Sequence, residues 1–178
     1  MPTEISGATG VNKVQTGAIE TGDLPAGSVL QVVSATTQDY FTTTSTSWVT
    51  VTGLSVNITP SSTSSKILVM LSSGGTSAGD AGYISVFRDS TNLVNTRGSR
   101  YPALLNTYQG GWAGNFKHTD ASILDSPSTT SQITYSVKAG LRSGGTTAMH
   151  VGTSRAGDTN NVDTYTPFGT ITVMEIAG

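Results

Sequence analysis

From Leu54 to Ile58 the chain alternates strictly. Leu54, Val56 and Ile58 are apolar, and Ser55 and Asn57 between them are polar. A period of two describes a strand with one dry face and one wet face. Pro60 then removes a backbone donor, and five Ser/Thr residues, 61–65, carry the chain round a turn. The segment after Lys66, Ile67 to Leu71, is apolar at successive positions. It is too short for a buried helix, and Ser72-Ser73-Gly74-Gly75 punctuates it. A strand of this kind meets apolar neighbours on both faces, as in the middle of a sandwich or at a subunit contact. Leu68 and Met70 then become the candidate contacts with another subunit.

Strand patterns recur along the rest of the chain at the spacing of a sandwich. They are expected at 29–33, 47–51, 83–88, 93–94, 112–118, 122–124, 132–137, 147–151 and 169–176. Tyr83, Ser85 and Phe87 share one face of their strand, with Ile84 and Val86 on the other. Ile133, Tyr135 and Val137 fall together in the same way. About ten strands, no helix and no internal repeat imply an all-β fold. The expected architecture is an antiparallel two-sheet β-sandwich, jelly-roll-like, with an extended N-terminal arm. The longest irregular segments, 74–81, 96–111 and 153–167, belong at the ends of such a sandwich.

Residues 1–27 follow another pattern. Val11, Val14, Ile19 and Leu24 stand singly in a Gly/Thr/Ser/Glu background, on neither a helical stripe nor a sustained alternation. Such a segment cannot bury enough apolar surface alone to offset the entropy of ordering it. An extended arm over 1–27 and a sandwich domain over 28–178 are therefore expected. The four apolar residues of the arm would fit shallow pockets or a sheet edge on a partner.

Composition sharpens the β assignment. Thr and Ser make up roughly 30% of the chain and there are 21 glycines, a bias toward strands and turns. Only 11% of residues are charged, and the net charge is −2. That gives no electrostatic reason to expect nucleic acid or an anionic membrane as partner. No cysteine is present, which removes disulfides, thiolate nucleophiles and Cys-based zinc sites. No apolar run approaches the ~18 residues of a membrane span, and the first residues lack the basic start and apolar core of a Sec-type signal.

Candidate chemistry is sparse. His118 and His150 are the only histidines, each in an expected strand; they could bind metal or line a three-fold axis, but an ordinary strand position accounts for them better. There is no Gly-x-Ser-x-Gly elbow. A glycosidase would need two carboxylates at a set separation, and the acids fall mostly at expected turns (Asp80, Asp89, Asp125, Asp158, Asp163). The oxygen-rich run Asp158 to Asp163 lacks EF-hand spacing and reads better as an Asx-rich turn than as a calcium loop. Arg97, Arg100, Tyr101, Tyr108 and Trp112 form the most distinctive loop. Planar guanidinium groups and aromatic rings suit a glycan- or protein-binding surface, but packing of the loop onto the sandwich or a neighbouring subunit is the better reading. No cofactor and no catalytic residue are expected.

Two blocks resemble bacteriophage virion proteins. The leader SGATGVNKVQTGAIETGDLPAGSVLQVV is similar to that of phage fibre-type proteins. The Thr/Ser tract 42–47, the block VNITPSSTSSKILVML and the ending GTITVMEIAG are similar to sandwich modules of tail fibres, tailspikes and capsid decoration proteins. The resemblance implies a non-enzymatic homotrimer on the virion exterior. It carries no catalytic residues. The absence of a coiled-coil, collagen-like or β-helical shaft favours a capsid-decorating (cement) protein that binds the major capsid protein. Its loops could also reach host glycan. A short tail fibre or receptor-binding protein on the tail is the alternative, and a capsule depolymerase is the remotest.

Overall fold

A computed structural model describes residues 20–78, 82–94, 103–107, 117–142, 149–151 and 169–178. Its strands are β1 (Val29–Thr37), β2 (Phe41–Thr43), β3 (Val49–Ile58), β4 (Lys66–Ala78), β5 (Gly82–Arg88), β6 (Thr91–Asn92), β7 (Leu105–Thr107), β8 (Lys117–Asp125), β9 (Ile133–Leu141), β10 (Met149–Val151) and β11 (Gly169–Ile176). One 3-10 turn, Thr21–Asp23, precedes them.

The strands form two antiparallel sheets packed as a sandwich. The larger is ordered β1-β11-β4-β8, with short β10 and β2 extending it beside the end of β4. The smaller is ordered β3-β9-β5-β7, with β6 also pairing β5. This pairing is that of one long hairpin rolled up. Its eight principal strands pair from the outside inward as β1 with β11, β3 with β9, β4 with β8 and β5 with β7. That is the jelly-roll arrangement, and it agrees with the expected fold class.

Alternation fills the space between the sheets. Leu54, Val56 and Ile58 of β3 are buried, as are Ile67, Val69 and Leu71 of β4. Ile171 and Val173 of β11 and Ile133, Tyr135 and Val137 of β9 join the same core. Each aliphatic side chain buried here contributes about 1.5–3 kcal/mol relative to exposure.

Several boundaries differ from expectation: β1 and β9 run on to Thr37 and Leu141, the strand expected at 93–94 is Thr91–Asn92, and β7 lies within the segment 96–111 expected to be irregular. Three further differences have identifiable reasons. The expected runs 47–51 and 54–58 merge into one strand, β3, which begins at Val49 and has a register shift between Thr50 and Ser55. Gly53 sits in that irregularity at φ +80°, and a bulge lets the chain bend without ending the strand. The Ser-Ser-Gly-Gly segment does not stop β4. A second register shift, between Ser72 and Gly75 against β8, carries the strand on to Ala78. Likewise 117–125 is a single strand, β8, so the expected break before Ser122 is absent; residues 112–116 lie outside those described.

Gly53 has no room for a side chain. A Cβ built there would fall 2.7 Å from Thr37 Cβ and 2.8 Å from its Oγ1, in a left-handed conformation that L side chains avoid. Gly53→Ala is expected to cost about 1–3 kcal/mol, a melting point lower by roughly 3–10 °C for a chain of this size. Thermal unfolding followed by circular dichroism checks it.

Candidate functional site

Carboxylates are the natural place to look for chemistry in a chain without cysteine. The fold brings two of them into one row. Gln31, Glu175, Ile67 and Asp125 are successive register partners across β1, β11, β4 and β8. Glu175 has the parity of Ile171 and Val173 and therefore points inward, at the end of the sandwich; it is fully buried.

Glu175 is saturated with donors. The Ser61 N–H and Ser61 Oγ donate to its Oε1 at 2.7 and 2.6 Å. Ser65 Oγ donates to the same oxygen at 2.7 Å. Gln31 Nε2 donates to Oε2 at 2.6 Å and also to the Thr59 carbonyl. Burial pushes the carboxyl pKa up, but the hydrogen bonds from Ser61, Gln31 and Ser65 together outweigh it and hold the pKa below the ordinary carboxylate range. The Ser/Thr turn after Pro60 is thus a cap that closes over a carboxylate.

Asp125 closes another part of the sandwich. Arg88 Nη1 lies 2.9 and 2.8 Å from its two oxygens. The Tyr135 hydroxyl donates to Oδ2 at 2.7 Å. Burial, then the hydrogen bond and charge of Asp125, push the Tyr135 pKa well up, so the phenol remains a donor. Because β8 belongs to the larger sheet and β5 and β9 to the smaller, this triad ties the two sheets together. Asp125 is accordingly the last residue of a strand, not a turn acid. Asp89 is a turn residue as expected, at φ 51°, accepting from the Thr134 N–H.

The two sheets treat their outer faces differently. On the smaller sheet, Tyr83, Ser85 and Phe87 share one face as expected; it is the outer face, yet all three are buried. Trp48 stacks edge-on against Tyr83 and Phe87, with ring centroids 4.7 and 5.2 Å away. Lys138 Nζ lies 4.4 Å over the Phe87 ring, and Asn92 accepts from Ser85 Oγ at 2.6 Å. The chain covers this face itself.

The larger sheet has no such cover among the described residues. Val32, Met174, Leu68 and Leu124 are register partners across β1, β11, β4 and β8, so they form one apolar row on the outer face. Leu124 is 56% exposed and Val32 55%, with Met70 in the next row at 41%. Of the six large hydrophobics exposed among the described residues, Val29, Val32, Met70 and Leu124 lie here. Farther along the strands the face turns polar: Thr36 and Thr170 hydroxyls meet at 3.1 Å, beside Ser72 and exposed Asp120. A shallow groove of about 670 Å³ runs over Leu68, Met70, Ala121 and Thr172. Apolar patches of this sort mark interaction sites.

The other expected site residues are distributed as follows. Leu24 is 38% exposed and borders a shallow groove of about 220 Å³ with Leu30, Ser61 and Ala177 of its own chain. The Gly27 N–H donates to the Ala177 carbonyl, and the Ala177 N–H to Ser28, so the chain is already joined to the domain before β1. Val11, Val14, Ile19, Arg97, Arg100, Tyr101, Tyr108, Trp112 and the 158–163 loop lie outside the described residues. His118 and His150 occupy strands β8 and β10. Among the described residues, no group of three or more His, Asp or Glu could hold a metal ion, and no helix is long and apolar enough to cross a membrane.

A scan against protein-family models finds no match, and a search of curated proteins finds none. The class that can be stated is that of the fold, a jelly-roll β-sandwich.

Glu175→Gln is expected to destabilise the domain by about 1.5–3 kcal/mol at neutral pH, since a neutral amide accepts less strongly and presents an N–H₂ to donors. The native carboxyl pKa lies below its unfolded value of about 4.3. Its contribution is therefore complete above that value and is lost as pH falls through the lower native pKa. Urea unfolding between pH 7 and pH 3 should show wild type losing this increment, and the variant lacking that part of the pH dependence.

Proposed function

We propose that this chain is a non-enzymatic structural protein of a phage virion, a capsid-decorating homotrimer whose partner is the major capsid protein. The observation that supports it best is the apolar row on the larger sheet, which none of the described residues covers. A sandwich whose described residues bury one outer face under Trp48 and leave an apolar row exposed on the other is suited to assembly. The two inner carboxylates support the non-enzymatic reading. Glu175 is enclosed and fully occupied by donors, and Asp125 is held by Arg88 and Tyr135, so neither is placed to protonate a leaving group or attack a substrate. The link to a virion comes from the resemblance of the leader and the Ser/Thr-rich blocks to phage fibre and decoration modules.

In this reading the arm and the base of the sandwich grip the shell, and linking neighbouring capsomers reinforces it. The contacts between Gly27–Ser28 and Ala177 refine where an arm deletion should be made. Removing residues 1–19 leaves those contacts intact, whereas removal through 27 would cut into the domain.

Deletion of 1–19 is expected to give a protein with unchanged melting behaviour that no longer binds particles lacking it. Full occupancy by the truncated protein would contradict the role of the arm. Quantitative mass spectrometry of virions should find hundreds of copies; a few to some tens would place the protein on the tail instead. Measurable turnover of host polysaccharide would contradict the non-enzymatic reading.

A further inference from the structure

We infer that the outer face of the larger sheet is the surface through which copies of this chain pack on one another, with the symmetry axis running along the strands. This deepens the proposed function, which calls for a homo-oligomer but does not say how its axis lies against the sheets.

The occupant follows from size and pattern. Four strands about 4.8 Å apart and seven residues at about 3.4 Å span roughly 19 by 24 Å. That is about 450 Å² per copy as a flat projection, and more with side-chain relief. Two copies together then reach about the 1,000 Å² that a specific interface needs. The face is graded along the strands. The row of Val32, Met174, Leu68 and Leu124 is wholly apolar, and two rows farther on stand Thr36, Thr170, Ser72 and Asp120.

The gradient selects the axis. An axis across the strands through the centre of the face would lay Leu68's row over polar rows of the second copy. Its one attraction is that Lys66, exposed at one end, would approach Asp120, exposed at the other. A solvated ion pair of that kind shifts association by about fivefold at most. An axis along the strands keeps levels matched, so that the apolar row meets an apolar row. Each large side chain covered in this way is worth tenfold or more. Level matching wins, and it holds for a two-fold or a three-fold axis alike. In either, Leu124 on the β8 side of one copy faces Val32 on the β1 side of the next.

The cysteine-free sequence allows a clean test. Within one chain Val32 and Leu124 are three strand spacings apart, about 14 Å, too far for a disulfide. In the full-length protein, Val32→Cys with Leu124→Cys is expected to oxidise to covalent oligomers. Thr36→Cys with Leu124→Cys, offset by two rows, is expected not to. Light scattering should show wild type as an oligomer. Leu124→Glu, at an exposed position that the monomer fold tolerates, should weaken association about 100-fold or more while leaving the circular dichroism spectrum unchanged. A monomeric wild type, an oligomer indifferent to Leu124→Glu, or cross-linking by the offset pair alone would overturn the inference. If the oligomer behaves as expected but does not bind particles, the virion reading fails and the interface stands.

Discussion

The pleat of β4 divides the molecule's tasks. It lies between β11 and β8, bonded on both sides, so its backbone is satisfied and its side chains are free to serve two surfaces. Ile67, Val69 and Leu71 fill the core. Leu68 and Met70 are delivered by the same alternation to the opposite face, where the folded chain places nothing over them among the described residues. A shift of one residue in register would exchange the two sets. The core therefore fixes the position of the apolar outer row as firmly as it fixes itself.

Two polar clusters hold that geometry at the end of the sandwich. Glu175 is locked to the Ser61–Ser65 turn and to Gln31, and Asp125 joins Arg88 and Tyr135 across the sheets. Removing a partner of Glu175 leaves a buried charge short of donors, which costs more than an ordinary hydrogen bond returns, whereas Arg88 and Asp125 are only partly buried. These residue types would suggest a catalytic pair if read without their contacts. Their saturated bonding makes them struts. Four of the large hydrophobics exposed among the described residues lie on the outer face of the larger sheet.

Much of this was legible in the sequence. Period-two alternation identified the strands of the core, because parity survives tertiary packing. The doubly apolar run 67–71 marked the strand that serves both faces. What was not legible depended on pairing. The runs 47–51 and 54–58 looked like two strands because glycine usually punctuates, and only the partner β9 shows the bulge at Gly53. Glu175 looked like an ordinary residue at a strand end. The one available signal was its inward parity with Ile171 and Val173, which makes an acid there anomalous unless something caps it. Trp48 gave no sign of covering Tyr83 and Phe87, since nothing local links positions so far apart. Leu124 and Val32 are unremarkable singly; the register of four strands makes them a row.

Whether a second copy covers the outer face of the larger sheet can be read from methionine chemistry. Met70 is 41% exposed in the single chain, whereas Met149 is fully buried in the core and serves as an internal reference. Limited peroxide oxidation followed by peptide mass spectrometry would compare wild type with Leu124→Glu. Met70 and Met174 should be protected in wild type and oxidised several-fold faster in the variant, with Met149 slow in both. Equal oxidation of Met70 in the two proteins would mean that the face is open to solvent and the account is wrong.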